Sequence, residues 1–350
     1  MASLNGVMTA AVLYGKEDVK IEMVPIPQVA AGEVLIKVEV ALTCGTDLKV
    51  FRRGYHARMI VPPALFGHEA SGVIVEIGEG VTGFRKGDRV VALNSAPCGA
   101  CFYCTHQQEN LCEDLLFNNG AYAEYIRVPR RIVETNMLRL PKTMSFGSAA
   151  TVEPLACVVR GLDELNARAG ETVVVIGAGP IGLMFLQVAH AYNMRVIAVV
   201  KRDEQVASAK KFGADEVIHI GEVADPIAAV RALCGGRGAD LAIECVGQPL
   251  AWQWAIEMVR KGGRVNLFGG CAAGTKVEID TNRIHYSELT LKATFHHTPK
   301  TVRKAFELIR DGKVHSTDFI TGEAKLSELE SVLRRMMDRT DEIKTAIIPG

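Results

Sequence analysis

The chain has 350 residues, of which 48% are hydrophobic, and its 40 basic side chains balance 40 acidic ones. This length exceeds what one hydrophobic core usually serves, so we expect two domains. A formal net charge of zero gives no electrostatic footprint for nucleic acid or for an anionic membrane, which leaves small molecules as the expected partners.

Cysteine usage indicates the compartment. The nine cysteines are an odd number, and four of them are bunched at metal-ligand spacing. In a reducing compartment this pattern indicates metal ligation rather than disulfides. No apolar run approaches the roughly 20 residues that span a bilayer, and the first residues lack the pattern of a signal peptide. We therefore expect a cytoplasmic protein.

The first half of the chain predicts strands. Apolar positions recur in Met8–Tyr14 and alternate in Glu33–Leu42. Glycines divide short apolar runs between residues 67 and 93, which is typical of a small β-barrel. A cysteine-rich loop follows, and it needs an anchor because ordering each residue costs about 1–2 kcal/mol of backbone entropy. Helical spacing begins near residue 145. Residues 1–152, completed by 296–350, are therefore predicted as one domain and residues 153–295 as another.

The second domain predicts a doubly wound parallel sheet, because six apolar strands alternate with helices. The predicted strands are Val173–Ile176, Arg195–Val200, Glu216–Ile220, Asp240–Cys245, Arg264–Phe268 and Leu289–Phe295. The tail predicts helices at Thr301–Asp311 and Leu326–Asp338 and a strand at Lys344–Ile348. These three elements are expected to return to the first domain.

A glycine turn at the first of these strands indicates a dinucleotide site. The strand from Val173 runs into Gly177-Ala-Gly-Pro-Ile-Gly182, which matches Gly-x-Gly-x-x-Gly and opens an apolar helix. Gly177 permits the turn, Gly179 lets the backbone approach a pyrophosphate, and Gly182 lets the helix pack on the strand. Pro180 and Ile181 complete the predicted coenzyme loop.

Two sets of side chains have the composition of zinc sites. One is the run Cys98, Cys101, Cys104 and Cys112, whose four soft ligands suit a closed structural site. The other combines one thiolate, one imidazole and two carboxylates, which suits a catalytic Zn²⁺ with an open position. Its members are Cys44, His68, Glu69 and Glu153. His68 alone would more often be a core histidine, so the prediction depends on the whole set.

Several motifs together resemble the zinc-dependent medium-chain dehydrogenases over nearly the whole chain. They are Cys44-Gly-Thr-Asp47, Gly67-His-Glu-Ala-Ser-Gly72, the four-cysteine lobe, Thr151-Val-Glu-Pro154 and the glycine turn. Within that family the chain looks like the polyol (sorbitol) dehydrogenase and threonine dehydrogenase branch, which has a glutamate at the Glu153 position. The resemblance implies a GroES-like β-rich catalytic domain and a Rossmann domain with a six-stranded parallel sheet.

The resemblance also implies the roles of the site residues. Cys44, His68 and Glu69 would hold the catalytic zinc, and Glu153 would bind it directly or through water. Thr46 would hydrogen-bond the substrate alcohol and pass its proton outward. Cys157, one helical turn after Glu153, is a weaker candidate for a ligand.

The expected reaction is a hydride transfer between a secondary alcohol and NAD(P), with zinc lowering the pKa of the substrate hydroxyl. The expected substrate is a polyol, a cyclitol or a sugar derivative, and the expected assembly is a homodimer or homotetramer. L-threonine or a sugar phosphate as substrate remains an alternative. So does a zinc-bearing, dinucleotide-binding redox sensor without turnover, although a sensor has no need of an open metal site.

The sequence departs from the family pattern at three places. Lys49 replaces a histidine of the proton relay. His296 and His297 stand where polyol dehydrogenases have an arginine and a tyrosine, although these histidines could equally cap a strand.

Five basic side chains follow the zinc cysteine, and they form either a solvated face or a binding site for an anionic substrate. They are Lys49, Arg52, Arg53, His56 and Arg58.

The third departure concerns the choice of coenzyme. An acidic residue about 20 positions after the glycine turn usually binds the ribose hydroxyls of NAD, and Val200 occupies that position. Lys201 and Arg202 follow it and could hold the 2′-phosphate of NADP. Asp203 is the competing candidate, because a small shift in register would bring its carboxylate to the ribose. The sequence favours NADP.

Overall fold

The structure is a computed structural model that describes residues 6–56, 58–338 and 342–350. It divides into two compact units, of which the first comprises the chain up to Pro154 together with Thr298–Gly350 and the second comprises Leu155–His297. Each division lies two residues after the predicted boundary. Within the described residues, no helix is long and apolar enough to cross a membrane.

The amino-terminal part of the first unit consists mainly of short strands, as the glycine-punctuated apolar runs predict. Its elements are β1 Val7–Gly15, β2 Asp18–Pro25, β3 Val34–Leu42, α1 Gly45–Arg53, β4 Ala64–Leu65, β5 Ala70–Ile77, β6 Arg89–Ala92, β7 Ser95–Ala96, α2 Phe102–Thr105, β8 Leu116–Phe117, β9 Tyr125–Val128, α3 Arg130–Asn136, β10 Met137–Arg139 and α4 Phe146–Ala150. The cysteine segment, predicted as a loop, contains the one-turn helix α2. This turn forms because the amide of Thr105 bonds the carbonyl of Cys101, and the Thr105 hydroxyl bonds the same carbonyl.

The second unit alternates strands and helices. Its elements are α5 Val152–Asp163, which contains the division after Pro154, then β11 Thr172–Ile176, α6 Pro180–Ala191, β12 Arg195–Val200, α7 Asp203–Lys211, β13 Glu216–His219, α8 Pro226–Leu233, β14 Ala239–Glu244, α9 Pro249–Met258, β15 Val259–Leu267, α10 Thr281–Tyr286 and β16 Thr290–Lys292. The strands form one parallel sheet in the order β13-β12-β11-β14-β15-β16. The predicted doubly wound sheet is therefore confirmed.

The sixth strand is shorter than predicted. It ends at Lys292 rather than at Phe295, because only residues 290–292 pair with β15. His296, four residues later, has a φ of 67°, which is outside the strand region. The two histidines therefore do not cap the end of β16.

The tail returns to the first unit with α11 Pro299–Arg310, β17 Ile320–Lys325, α12 Leu329–Met337 and β18 Lys344–Ile348. The helix predicted from Leu326 begins as a 3-10 turn, Leu326–Glu328, before α12. Strand β18 pairs antiparallel with β3 and parallel with β17, within a seven-stranded sheet that also includes β5, β6, β9 and β10. The last strand therefore lies beside the strand that leads into Cys44.

Candidate metal and coenzyme sites

Cys44, His68 and Glu69 come together in the first unit. Cys44 precedes α1, and His68 and Glu69 immediately precede β5, the antiparallel neighbour of β3. One ligand atom from each of the three side chains lies within 4.8 Å of the others. His68 and Glu69 are buried and Cys44 is partly exposed, so the cluster is open on the side of the thiol. This arrangement can hold a metal ion with a vacant position.

Asp47 orients two of these ligands. Its Oδ1 lies 2.9 Å from Nδ1 of His68, and its Oδ2 accepts the amide of Cys44 at 3.1 Å and the hydroxyl of Tyr122 at 2.6 Å. The ring of His68 therefore has Nε2 available for a metal, which is the usual arrangement of a carboxylate behind a metal-binding histidine. Burial lowers the pKa of His68, but the carboxylate of Asp47 and the thiol of Cys44 outweigh it and raise that pKa well above its usual value.

Glu69 is held by a buried lysine from the last strand. The ammonium of Lys344 lies 2.7 Å from Oε2 and 2.9 Å from Oε1 of Glu69, and it also donates to the carbonyl of Thr43 at 2.8 Å. Burial disfavours the charge on Lys344, but the carboxylate of Glu69 outweighs it and raises the pKa of the lysine. Burial also raises the pKa of Glu69, although Lys344 opposes this rise. The two short contacts with the ammonium favour the ionised pair, and Glu69 has lone pairs left for a metal.

Glu153 is not a member of this three-residue cluster, although its charge interacts with His68 and Glu69. It lies near the beginning of α5 and is 7% exposed. Burial raises the pKa of its carboxyl to about 7, and the negative charges of Glu69 and Asp47 add to this rise while His68 and Lys344 oppose it. The structure therefore places Glu153 within electrostatic range, and a direct bond to a shared metal stays a prediction.

The other residues predicted around Cys44 lie on α1 and after it. The amide of Thr46 donates to the sulfur of Cys44 at 3.4 Å, so the first turn of α1 fixes the position of this side chain. The ring of His56 accepts the amides of Arg58 and Met59 at 3.2 Å, so it fixes the loop. The remaining cations of this run are exposed: Lys49, Arg52, Arg53 and Arg58.

The four cysteines form the second candidate metal site. Their sulfur atoms all lie within 4.8 Å of one another, with Cys101 and Cys104 only 3.5 Å apart. The amide of Cys101 donates to the sulfur of Cys98 at 3.3 Å, and the amide of Cys98 donates to the sulfur of Cys112 at 3.2 Å. Backbone amides of Glu113 and Cys104 lower the pKa of Cys101 to about 6. Burial raises the pKa of Cys104 to about 12 and also raises that of Cys112, so these thiols would release protons on binding a cation. Four cysteine sulfurs this close together fit a closed tetrahedral zinc.

The glycine turn contains two glycines that the fold requires, Gly177 and Gly182, and one that it does not, Gly179. Gly177 has a φ of 97°, and a Cβ on Gly182 would collide with the carbonyl oxygen of Gly177. Gly179 is the N-cap of α6 with an ordinary φ of −80°, and a Cβ there would meet no atom within 4 Å. The space beside Gly179 lies at a helix N-terminus, where backbone amides attract anions, and it fits a pyrophosphate.

The end of the second parallel strand carries the residues that select the coenzyme. Strand β12 ends at the buried Val200, and Lys201 and Arg202 follow it directly. Gln205 fixes this turn: its Oε1 accepts the amides of Lys201 and Arg202 at 3.2 Å. Its Nε2 donates to the carbonyl of Ala178 at 3.3 Å, so Gln205 connects the strand end with the glycine turn.

Asp203 begins α7 and points into solvent. Its side chain is 95% exposed, and its Oδ1 lies 3.4 Å from Nε2 of His219. The same Nε2 donates to the carbonyl of Lys201 at 2.8 Å. Arg202 pairs with Glu204 at 2.7 Å, an exposed contact that a ligand phosphate could replace.

His296 and His297 are part of the second unit. Their rings lie 4.0 Å apart, and Nη1 of Arg160 donates to the carbonyls of Phe295 and His296 at 2.7 and 3.3 Å. Burial, assisted by the charge of Arg160, lowers the pKa of His297 to about 3, so this ring is neutral. Arg160 therefore holds the segment in place.

Sequence reasoning assigned no role to Asp47, Tyr122, Lys344 or Gln205. Two signals were present in the sequence. An aspartate three positions after a residue that caps a helix is a typical capping arrangement, and a lysine inside an apolar strand requires a buried partner. Tyr122 and Gln205 carry no such signal, because their contacts depend on tertiary structure.

We expect Asp47→Ala to weaken metal binding at the Cys44 cluster by roughly 10–100-fold, because His68 and Cys44 lose their orientation. The measurement is a chelator competition that counts metal per chain, together with thermal unfolding. Tyr122→Phe is the matched control, since it removes one hydrogen bond to Asp47 and keeps the ring. If Asp47→Ala retains metal as the parent does, Asp47 has no orienting role.

Comparison with known families matches residues 30–141 to the alcohol dehydrogenase GroES-like domain and residues 180–311 to the zinc-binding dehydrogenase family. These two matches confirm the fold class that the motifs predict. They include His68, Glu69, the cysteine lobe and the residues from Pro180 to the strand end at Val200.

Relatives match over nearly the full length. The chain is 30% identical to sorbitol dehydrogenase of Bacillus subtilis (strain 168) over 98% of each protein. It is 34% identical to L-threonine 3-dehydrogenase of Bacillus licheniformis, over 90% of this chain and 91% of that protein. A solved zinc-binding dehydrogenase from Sinorhizobium meliloti 1021, bound to NADP, is 28% identical with a TM-score of 0.90 over 98% of this chain and 100% of that chain. The chain therefore belongs to the zinc-dependent medium-chain dehydrogenases, in the branch of the sorbitol and threonine dehydrogenases.

Proposed function

We propose that this protein is a zinc-dependent dehydrogenase that interconverts a secondary alcohol and a ketone with a nicotinamide coenzyme. The observation that carries the proposal is the open cluster of Cys44, His68 and Glu69, with its carboxylate support from Asp47. The closed cysteine cluster and the vacant space beside Gly179 complete the set of parts that such an enzyme needs. Oligomeric assembly remains a prediction.

In the proposed reaction, Cys44, His68 and Glu69 would hold a zinc ion that would supply Lewis acidity, and a nicotinamide coenzyme at the glycine turn would supply the hydride chemistry. Asp47 keeps the His68 ring in one orientation, so that Nε2 is presented without reorganisation. Lys344 offsets the charge of Glu69, which leaves the donor set less negative than its anionic groups alone would be. A less negative set of ligands would reduce the Lewis acidity of a bound zinc ion less than a fully anionic set would.

Thr46 is the proposed first proton acceptor for the substrate hydroxyl. It lies two residues after Cys44 on α1 and is partly exposed. A hydroxyl both donates and accepts, so it can pass a proton between the substrate and solvent. Lys49 follows one turn later and is exposed, which is consistent with a relay that ends in water rather than in a histidine.

The substrate class follows from the relatives, since sorbitol and L-threonine both carry a secondary hydroxyl beside other polar groups. We propose a polyol, cyclitol or sugar derivative, with L-threonine and sugar phosphates as alternatives. The exposure of Lys49, Arg52, Arg53 and Arg58 favours a solvated face over a built anion site. The second class of function, a coenzyme-binding sensor, would bind nicotinamide without alcohol-dependent reduction.

A substrate panel tests the function. Zinc-loaded protein should reduce the coenzyme with sugar alcohols, cyclitols, their phosphates or threonine, and Cys44→Ser should abolish turnover while coenzyme affinity changes by less than a few-fold. Gly179→Ala, by contrast, should lower coenzyme affinity. Its melting temperature should equal that of the parent, since the added Cβ meets no atom within 4 Å. Activity on simple primary alcohols alone, or turnover in Cys44→Ser, would contradict the proposal.

A second test concerns the cysteine lobe, for which we propose a structural zinc. Cys101→Ser should release about one zinc per chain and lower the melting temperature, because apparent binding free energies at such sites are on the order of 10 kcal/mol. Cys271→Ser is the control, since this cysteine lies outside both clusters. A Cys101→Ser protein with unchanged zinc content and unchanged melting temperature would refute the assignment.

We further propose NADP as the preferred coenzyme. The end of β12 supports this choice, because Lys201 and Arg202 follow Val200 directly and Gln205 hydrogen-bonds both their amides and the carbonyl of Ala178 in the glycine turn. The side chain of Asp203 is 95% exposed, and its nearest ionic partner is Nε2 of His219 at 3.4 Å.

The coenzyme proposal predicts that removing the two cations lowers activity with NADP selectively. Lys201→Ala/Arg202→Ala should lower kcat/KM for NADP by ten-fold or more and leave NAD nearly unchanged, because each charge-assisted hydrogen bond is worth about 1.5–3 kcal/mol. Asp203→Ala is the control and should affect neither coenzyme by more than a few-fold. A parent that prefers NAD, or an Asp203→Ala variant that selectively loses NAD, would favour the competing assignment.

A further inference from the structure

The second unit contains a groove at the amino ends of the parallel strands, whereas the glycine turn lies at their carboxyl ends. Thr172 opens β11, Arg195 opens β12, and Asp240 and Arg260 are the second residues of β14 and β15. These amino ends line a cavity of about 350 Å³. The glycine turn follows the carboxyl end of β11, so the cavity is separate from the coenzyme loop.

The lining of this groove is strongly cationic. Three arginines line it, Arg195, Arg237 and Arg260, against the single carboxylate of Asp240. That carboxylate is already satisfied, since Oδ1 accepts Nε of Arg260 at 2.7 Å and Oδ2 accepts the amide of Thr172 at 2.8 Å. The surplus positive charge therefore has no counterpart among the lining side chains.

The arginines retain unused donors. Arg195 donates Nη1 to the carbonyl of Leu233 at 2.8 Å, and its Nη2 lies 3.9 Å from the carboxylate of Glu216, beyond hydrogen-bond distance. Arg237 is exposed and makes no ion pair with any residue in the described parts of the chain. A guanidinium presents five donors in a planar fork, which matches phosphate and carboxylate oxygens.

A glycine loop leaves the groove open. Gly235, Gly236 and Gly238 flank Arg237 with φ values of 63°, 79° and 100°. A Cβ on Gly238 would lie 2.6 Å from the carbonyl oxygen of Met258, so the loop lies directly against the sheet. Gly235 and Gly236 present no side chains, and a Cβ on either would meet no atom within 4 Å. The mouth of the groove is therefore unobstructed on that side.

We propose that this groove binds a small organic anion with two or more negative charges, through phosphate or carboxylate oxygens held by Arg195, Arg237 and Arg260. The volume exceeds that of a single inorganic phosphate and accommodates a phosphorylated or polycarboxylic metabolite. The groove is separate from the coenzyme loop, so a ligand bound there would not be a substrate of the reaction proposed above.

The test uses the full chain, loaded with zinc and saturated with NADP so that the coenzyme site is filled. Inorganic phosphate and succinate, compared with chloride at equal ionic strength, are the two probes, and the readouts are the shift in melting temperature and a calorimetric Kd. At least one probe should stabilise the parent protein, and which one does so distinguishes phosphate from carboxylate recognition. Zinc content is measured after each titration to exclude chelation.

Arg237→Ala should weaken binding of the effective probe by roughly ten-fold or more. Arg237→Lys should recover part of this affinity, because lysine keeps the positive charge but lacks the planar guanidinium. Arg237 makes no contact that the fold requires, so this variant should remain folded. Arg303→Ala, which replaces an exposed arginine of the first unit, should bind the probe as the parent does. The proposal is overturned if neither probe stabilises the parent beyond chloride, or if Arg237→Ala responds as the parent does.

Discussion

A buried ion pair between the last strand and the metal cluster connects the two ends of the first unit. Lys344 and Glu69 have side chains only 2% and 0% exposed, and 275 residues of chain separate them. Breaking such a pair by removing one partner costs about 3–5 kcal/mol, because an uncompensated charge is left in the interior. The pair can form only when β18 pairs with β3, so the orientation of Glu69 depends on the return of the tail. The geometry of the candidate catalytic site therefore depends on contacts between distant parts of the chain and not only on the local conformation of the segments that carry its ligands.

The glycine turn shows how structure can separate the needs of the fold from the needs of a ligand. Gly177 and Gly182 lack side chains because the protein itself would collide with them. Gly179 has an ordinary backbone conformation and empty space around it, so nothing in the described protein explains why it is a glycine. A ligand that approaches the backbone at this point does explain it. This observation supports coenzyme binding without reference to any relative.

The sequence predicted the features that depend on local pattern. Parallel strands buried on both faces appear as apolar runs, so β11 and β12 were located to within a residue. The final strand of the sheet was predicted too long, since the apolar residues after Lys292 continue the pattern while His296 adopts a positive φ. The residue types of both metal clusters could be read directly. The support by Tyr122 and Gln205 could not, because contacts between distant residues leave no periodic signal, and the sequence could indicate only that Lys344 needs a buried partner.

The electrostatics of the first unit explain why its cluster suits a dication. Asp47, Glu69 and Glu153 are all buried, and Lys344 forms its ion pair with Glu69. The resulting negative potential opposes desolvation and raises the pKa of His68, while burial raises that of Glu153 to about 7. Both groups therefore hold protons more readily than they would in water. A divalent ion supplies that charge at once and displaces the protons, so metal binding there should stabilise the folded protein and be favoured as the pH rises.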